Sequence, residues 1–243
     1  MTEHDYLISN YIERFLLKIN DYEFKLPVET KHYAVIVEPR IDGNFYNRIL
    51  NHLYFLNNST SDIKWGLQIL HGKNNEEYVK YITKDIENVL YTKIDIENFT
   101  KIEYNNFVKD VKFWESVVGE KILMFQTDSL LLRNGIDDFL SYDYVGAPWT
   151  KPKENSFIGN GGLSLRTKEV MLEISKNHTD NQPDWEDIFF VKHLKKYNTP
   201  NIETAMRFSV EDVFYPTPIG LHNPIKLTTQ QLSYILEKSL ENL

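Results

Sequence analysis

Lys121-Ile122-Leu123-Met124-Phe125-Gln126-Thr127-Asp128-Ser129-Leu130-Leu131-Leu132 is an apolar run broken in the middle by polar residues. Its first half is short, consecutively apolar and preceded by Gly119, the pattern of a strand buried on both faces of a sheet. Asp128 arrives at the carboxyl end of that strand. Open α/β sheets bind ligands in the crevice outside the carboxyl ends of their strands. The position therefore predicts a carboxylate held at a ligand site. The competing reading, a strand-end cap, leaves the acid badly placed unless it is paired.

Outward from this stretch, strands alternate with helices. Tyr33–Val37 and Lys64–Leu70 read as buried strands, and Asn88–Asp95 as a short third one. Helical patterns cover Phe45–Leu56, Glu76–Ile86 and most of Asn98–Val118. The alternation predicts an α/β fold with a mostly parallel central sheet covered by helices on both sides. Ahead of it, Leu7, Ile8, Tyr11, Ile12, Phe15, Leu16 and Ile19 have helical spacing.

The texture changes after Asp128. Asp137–Leu140 suggests a short helix, Tyr142–Trp149 an aromatic turn into a loop, and Thr150–Ser156 a mobile polar segment. Gly159-Asn160-Gly161-Gly162 leads into Leu163-Ser164-Leu165-Arg166. Glycines beside a strand mark either a tight turn or the close approach of a ligand or another backbone. Thr167–Ser175 reads as a helix. Pro183 and Asp184 are start signals for another, running to about Lys196, whose first turn holds Glu186 and Asp187. Phe208–Tyr215 reads as a strand bearing Glu211 and Asp212, and Pro218–Pro224 as a rigid turn that holds His222. Thr228 and Gln231 have capping-box spacing for a closing helix. No repeat or linker divides the chain, so a single domain over residues 1–243 is expected, with an N-terminal helical extension (1–30) and a C-terminal helix (228–243).

Composition excludes several classes. The formal net charge is -8, from 35 acidic and 27 basic residues, which disfavours nucleic acid as a main partner. Cysteine is absent, so neither disulfides nor thiolate metal sites exist. No run has the length of a membrane span, and the N-terminus lacks a secretory pattern; a cytoplasmic location is the expectation. The first strand-to-helix turn, Glu38–Gly43, has neither Gly-x-Gly-x-x-Gly nor a Walker-type Gly-Lys-Ser/Thr, against dinucleotide oxidoreductases and P-loop ATPases. Aromatics make up 14%, with 15 Tyr and 14 Phe, enough for a core and for rings that stack on sugars.

Five motifs in order carry a resemblance: Phe125-Gln126-Thr127-Asp128-Ser129, Asp143-Tyr144-Val145-Gly146-Ala147-Pro148-Trp149, Gly159–Arg166, Glu186-Asp187-Ile188-Phe189-Phe190 and Gly220-Leu221-His222. Together they resemble a domain family of formerly unknown function grouped with the GT-A glycosyltransferases. The match runs from about Tyr33 to Pro224. The sequence is also similar, more distantly, to inverting galactosyltransferases, which place a Gly-Gly strand ahead of a Glu-Asp helix start.

The resemblance implies a single-domain GT-A (Rossmann-like) fold and a glycosyltransferase moving a sugar from a nucleotide-sugar donor, usually a uridine diphosphate sugar, to a glycan, protein or small-molecule acceptor. It implies Mn²⁺ or Mg²⁺ as cofactor and an inverting, metal-assisted reaction. Gln126 stands where such enzymes carry the first acid of an Asp-x-Asp motif, so Asp128 is left alone. Asp128 and His222 are the candidate metal ligands, His222 having the alternative role of fixing its Pro-rich turn. Gln126, Thr127 and Ser129 would border the donor, with Glu38 and Arg40 near its nucleoside. Asp187 is the candidate general base. Glu186 would hold acceptor hydroxyls or exchange roles with it. Asn160, Gly161 and Gly162 would let a sugar lie against backbone; Trp149 and Trp185 would stack on sugar rings or pack in the core. Two other readings stay open. The missing first acid suits a catalytically inactive sugar- or nucleotide-sugar-binding module. A nucleotidyltransferase would need a basic Gly-rich loop after the first strand, where only Arg40 stands.

Overall fold

The computed structural model describes residues 2–58, 61–154, 156–178 and 185–243. Along the first half run α1 (Glu3–Lys18), β1 (His32–Glu38), α2 (Phe45–Asn57), β2 (Trp65–His71), α3 (Glu76–Ile82), β3 (Leu90–Lys93), α4 (Lys101–Lys109), α5 (Val111–Ser116) and β4 (Lys121–Phe125). Then come β5 (Ser129–Leu131), β6 (Tyr144–Gly146), β7 (Pro148–Lys153), β8 (Ser156–Ile158), β9 (Leu163–Thr167), α6 (Lys168–Asn177), α7 (Glu186–His193), α8 (Ile202–Phe208), β10 (Ser209–Val210), β11 (Gly220–His222) and α9 (Thr229–Glu241).

Among the described residues the central sheet has the order β3-β2-β1-β4-β9-β6. β1 pairs in parallel with both β2 and β4, and β2 with β3; β9 runs antiparallel to β4 and β6. The fold is mixed α/β, a mostly parallel sheet flanked by helices. Side chains alternate across each inner strand. Ala34, Ile36, Leu123 and Phe125 join the core shared with α1, α2 and α9. Tyr33, Val35, Ile122 and Met124 join Phe113, Trp114, Ile174 and Phe190 on the other face. Burial on both faces is why these strands read as unbroken apolar runs.

β1 is followed in sequence by β2 on one side, but the chain returns to set β4 on its other side. The carboxyl ends of β1 and β4 thus diverge at a topological switch point, where a crevice opens. Lys121–Leu132 does not form one strand. β4 stays in the central sheet, while β5 crosses to a small sheet with β11 and β10. Gln126, Thr127 and Asp128 form the turn between the two sheets.

Several expectations need correction. Tyr144–Gly146 and Pro148–Lys153 are strands rather than a loop. β6 is held as a sheet edge by β9, and β7 pairs antiparallel with β8, so the polar segment is built into a hairpin. The strand expected at Phe208–Tyr215 shrinks to Ser209–Val210 because Phe208 ends α8, which Asn201 caps by accepting from the Thr204 N–H. The turn around His222 contains a strand, β11. Pro183 and Asp184 lie outside the described residues. The N-terminal helix packs on the core as its spacing predicts: α1 buries Tyr11, Ile12 and Phe15, and the Tyr11 hydroxyl meets Ser239 of α9 at 2.8 Å. The capping box of Thr228 and Gln231 is present at the start of α9. No helix of the described residues is long and apolar enough to cross a membrane.

Candidate functional site

The crevice is a cavity of about 640 Å³. It gathers Glu38 and Arg40 from the end of β1, Gln126, Thr127 and Asp128 from the turn after β4, and Asn160, Gly161 and Gly162 from the entry to β9. Trp149, Trp185, Glu186, Asp187 and His222 complete the set brought together from the candidates. Ser129 is the exception. It is fully buried; its hydroxyl donates to the Gln126 carbonyl at 2.7 Å and accepts from the Gln126 N–H at 3.3 Å. As the first residue of β5 it closes the turn from behind and presents nothing to a donor, which corrects its expected place beside one.

The turn is fastened from two more sides. The Arg48 Nε donates to the Thr127 carbonyl at 2.8 Å, and the Asn223 N–H donates to the Asp128 carbonyl at 3.1 Å. With its backbone held, the Asp128 side chain stands half exposed in the cavity, 3.2 Å from His222 Nε2. The same Nε2 lies 3.2 Å from the Gln126 side-chain oxygen, and the Gln126 amide donates to Tyr104 at 3.0 Å. On the other side of the ring, Nδ1 is 3.6 Å from Glu211, a charge contact too long for a hydrogen bond. Glu211 is itself held by Asn160 Nδ2 at 2.6 Å. Gly162 leaves the room for this imidazole: a Cβ there would lie 2.0 Å from Nε2.

Burial opposes a positive charge on His222, but Asp128 and Glu211 outweigh it and hold the imidazole up to about 9. Burial likewise works against the Asp128 charge, and the His222 contact more than offsets it, so the carboxyl lies below its ordinary value. A group with a raised folded-state pKa contributes stability below its unfolded value, here about 6.5, and loses it as pH rises through the folded one. The melting temperature should fall between about pH 6.5 and 9 by an amount that His222→Asn lacks; equal slopes in thermal melts of the two proteins would contradict the assignment.

At the first turn of α7 the two acids differ. Glu186 is buried, with both oxygens on the Arg166 guanidinium at 2.8 and 2.9 Å. Asp187 borders the cavity and accepts from the Ile188 N–H at 2.7 Å. Burial and the neighbouring Glu186 charge push the Asp187 carboxyl up to about 7, against the pull of Lys153. Trp185 is 51% exposed, its indole free to meet a ligand. Trp149 is buried beneath Lys153, whose Nζ lies 4.3 Å from the ring centroid. Glu38 is buried and occupied by Arg40, through its N–H at 2.9 Å, Nε at 2.8 Å and Nη2 at 2.7 Å; the guanidinium itself is half exposed.

Sequence reasoning passed over Arg166, Glu211, Tyr104 and Lys153 as working parts. For Arg166 a signal existed: a charge inside an apolar strand has to be paired. For Glu211 none did, because its partner His222 reaches it only through the β10–β11 pairing.

Comparison with known proteins bears on the fold. No curated protein matches the chain. Among solved structures it is similar to the apo form of the glycosyltransferase GlyE of Streptococcus pneumoniae TIGR4, at 10% identity and a TM-score of 0.52. That alignment covers 88% of this chain and 63% of GlyE, so the chain spans less than two thirds of that protein. An active-site mutant of LgtC is similar over 85% of this chain and 95% of its own, at 11% identity and a TM-score of 0.49. The DUF5672 family, described as proteins of unknown function, matches residues 88–222, from just before β3 to the end of β11. With more than half of its length and most of the cavity wall inside that match, the chain belongs to the DUF5672 family.

Proposed function

We propose that this protein is a glycosyltransferase that moves a sugar from a nucleotide-diphosphate donor, a uridine diphosphate sugar, to an acceptor hydroxyl, with inversion at the anomeric carbon. One observation carries the reading: Asp128 with His222, the glycine entry to β9, and Asp187 all border the same cavity at the switch point of the sheet. The cavity has the size of a small-ligand site, and the GT-A architecture agrees with it.

Among the described residues no group of three or more His, Cys, Asp or Glu side chains is arranged to hold a metal. Asp128 and His222 fit a divalent cation as two donors once the imidazole releases its proton, since their Oδ1 and Nε2 converge at 3.2 Å with the Gln126 oxygen alongside. Carboxylate oxygen and imidazole suit Mn²⁺, and donor diphosphate and water would supply the remaining positions. When bound, Mn²⁺ or Mg²⁺ stabilises the negative charge that develops on the leaving diphosphate.

The remaining roles fall to the chain itself. Asp187 takes the proton from the acceptor hydroxyl as it attacks the anomeric carbon. A carboxyl that titrates near neutral pH is matched to that task. Gly161 and Gly162 leave backbone open to the sugar, the Trp185 indole stacks on a ring face, and Arg40 borders the nucleoside. Thermal melts test the reading. A uridine diphosphate sugar at about 100 times its Kd should stabilise the protein by about 2.7 kcal/mol, a rise of about 5–10 °C, only with Mn²⁺ or Mg²⁺ present. No shift with any nucleotide sugar and metal would contradict it.

Gln126 in place of a first acid favours one second reading, a nucleotide-sugar binder without turnover. Both readings give the melting shift. Slow metal-dependent hydrolysis of the donor separates them, since a pure binder shows none.

A further inference from the structure

Glu186 and Asp187 are neighbours in sequence with different surroundings. Glu186 is only 6% exposed. Both of its oxygens face Arg166, a guanidinium with no exposure at all, lying 4.9 Å from the Tyr144 ring centroid and 5.4 Å from that of Phe190. The Glu186 N–H donates to the Asn105 side-chain oxygen of α4 at 2.6 Å. Arg166 also donates from Nε to the Ser164 hydroxyl at 2.8 Å, and that hydroxyl donates to the Gly161 carbonyl at 2.9 Å. A Cβ at Gly161 would sit 1.7 Å from Glu186 Oε1, so only glycine lets the carboxylate reach the guanidinium. The entry to β9, β9 itself and α4 thus meet at one residue of α7, β9 holding its carboxylate through Arg166 and α4 its backbone N–H through Asn105. Asp187 has no such cage and borders the cavity.

We propose that Glu186 is a positioning residue: caged by Arg166, Asn105 and Gly161, it fixes the first turn of α7 so that Asp187 faces the cavity, with the Glu186–Arg166 ion pair held beside it. The proposal rests on the transferase reading for the reaction Asp187 serves, but not for the geometry. The other groups facing Asp187 are Lys153 of β7, Arg166 of β9 and Tyr144 of β6. From α4, Lys101 and Tyr104 border the same cavity. Burial and Glu186 raise the proton affinity of Asp187, whereas Lys153 and Arg166 lower it.

The test is a ¹³C NMR pH titration of the Asp187 carboxyl in the full chain without ligands, assigned by its loss in Asp187→Asn. The intact protein should titrate at about 7. In Glu186→Gln the midpoint should fall by about one unit or more; in the double variant Glu186→Gln with Arg166→Met, which leaves no unpaired buried ion, it should fall by less, because the lowering effect of Arg166 is lost as well. An unchanged midpoint in either folded variant overturns the proposal. If neither variant folds, the intact protein decides: a midpoint near the ordinary value of about 3.9 overturns it. The titration needs no donor or acceptor. Failure to bind nucleotide sugars therefore removes the transferase reading alone, while an active enzyme with an unmoved midpoint removes only this inference.

Discussion

On the transferase reading, Asp187→Asn should lower turnover by about 10²–10⁴-fold and leave donor affinity unchanged. The asparagine keeps the size of the side chain and its place on the first turn of α7, but it cannot accept a proton. Asp128 and His222, where the donor diphosphate would lie, are untouched by the change. In the intact protein kcat/KM should then rise with pH through about 7 and level off above it, because Asp187 as base would act only when deprotonated, and burial with Glu186 beside it holds the carboxyl up to about 7. Initial rates across pH, with donor affinity measured by calorimetry, check both statements. A variant that stays active would remove Asp187 from the role of base.

Arg166→Ala destabilises the protein by about 3–5 kcal/mol, the cost of leaving one member of a buried ion pair uncompensated. For a chain of this size that is a fall in melting temperature of about 6–20 °C. The guanidinium has no exposure and holds Glu186 through two hydrogen bonds, so its removal strands a buried carboxylate and empties the space between Tyr144, Trp114 and Phe190. Removing both partners together should cost less than the sum of the single changes. The contrast is Lys31 with Glu120, a pair at 2.9 Å that is mostly exposed; Lys31→Ala should leave melting almost unchanged. Equal losses from Lys31→Ala and Arg166→Ala would contradict the account of the buried pair.

The parts of the fold legible in the sequence were those written by local pattern. β1, β2 and β4 are buried on both faces and read as apolar runs; α1 and α2 carry helical spacing; Thr228 and Gln231 announce the cap of α9. What was not legible depends on pairings between distant segments. Tyr144–Gly146 is a strand because β9 lies beside it, and nothing in its own residues says so. The same holds for β10 and β11, three residues or shorter, which exist by pairing with each other and with β5.

The site divides along the same line. Asp128 could be found because an acid after a buried strand is conspicuous, and Asp187 because the resemblance reached it. The separation of Glu186 from Asp187 could not, since both are acids in one helix turn. Only the position of Arg166 on β9, opposite Gly161, puts one in a cage and leaves the other at the cavity. Ser129 shows the reverse error. Adjacency to Asp128 suggested a donor contact, but the crossing of the chain between two sheets turns its hydroxyl inward.

The central claim is that the crevice at the ends of β1 and β4 holds and opens an activated sugar. Release of free nucleoside diphosphate from a panel of nucleotide sugars, with and without Mn²⁺, tests it most directly. The account predicts metal-dependent release from a uridine diphosphate sugar that disappears in Asp128→Asn. No release from any nucleotide sugar, or release at the same rate in Asp128→Asn, would contradict it.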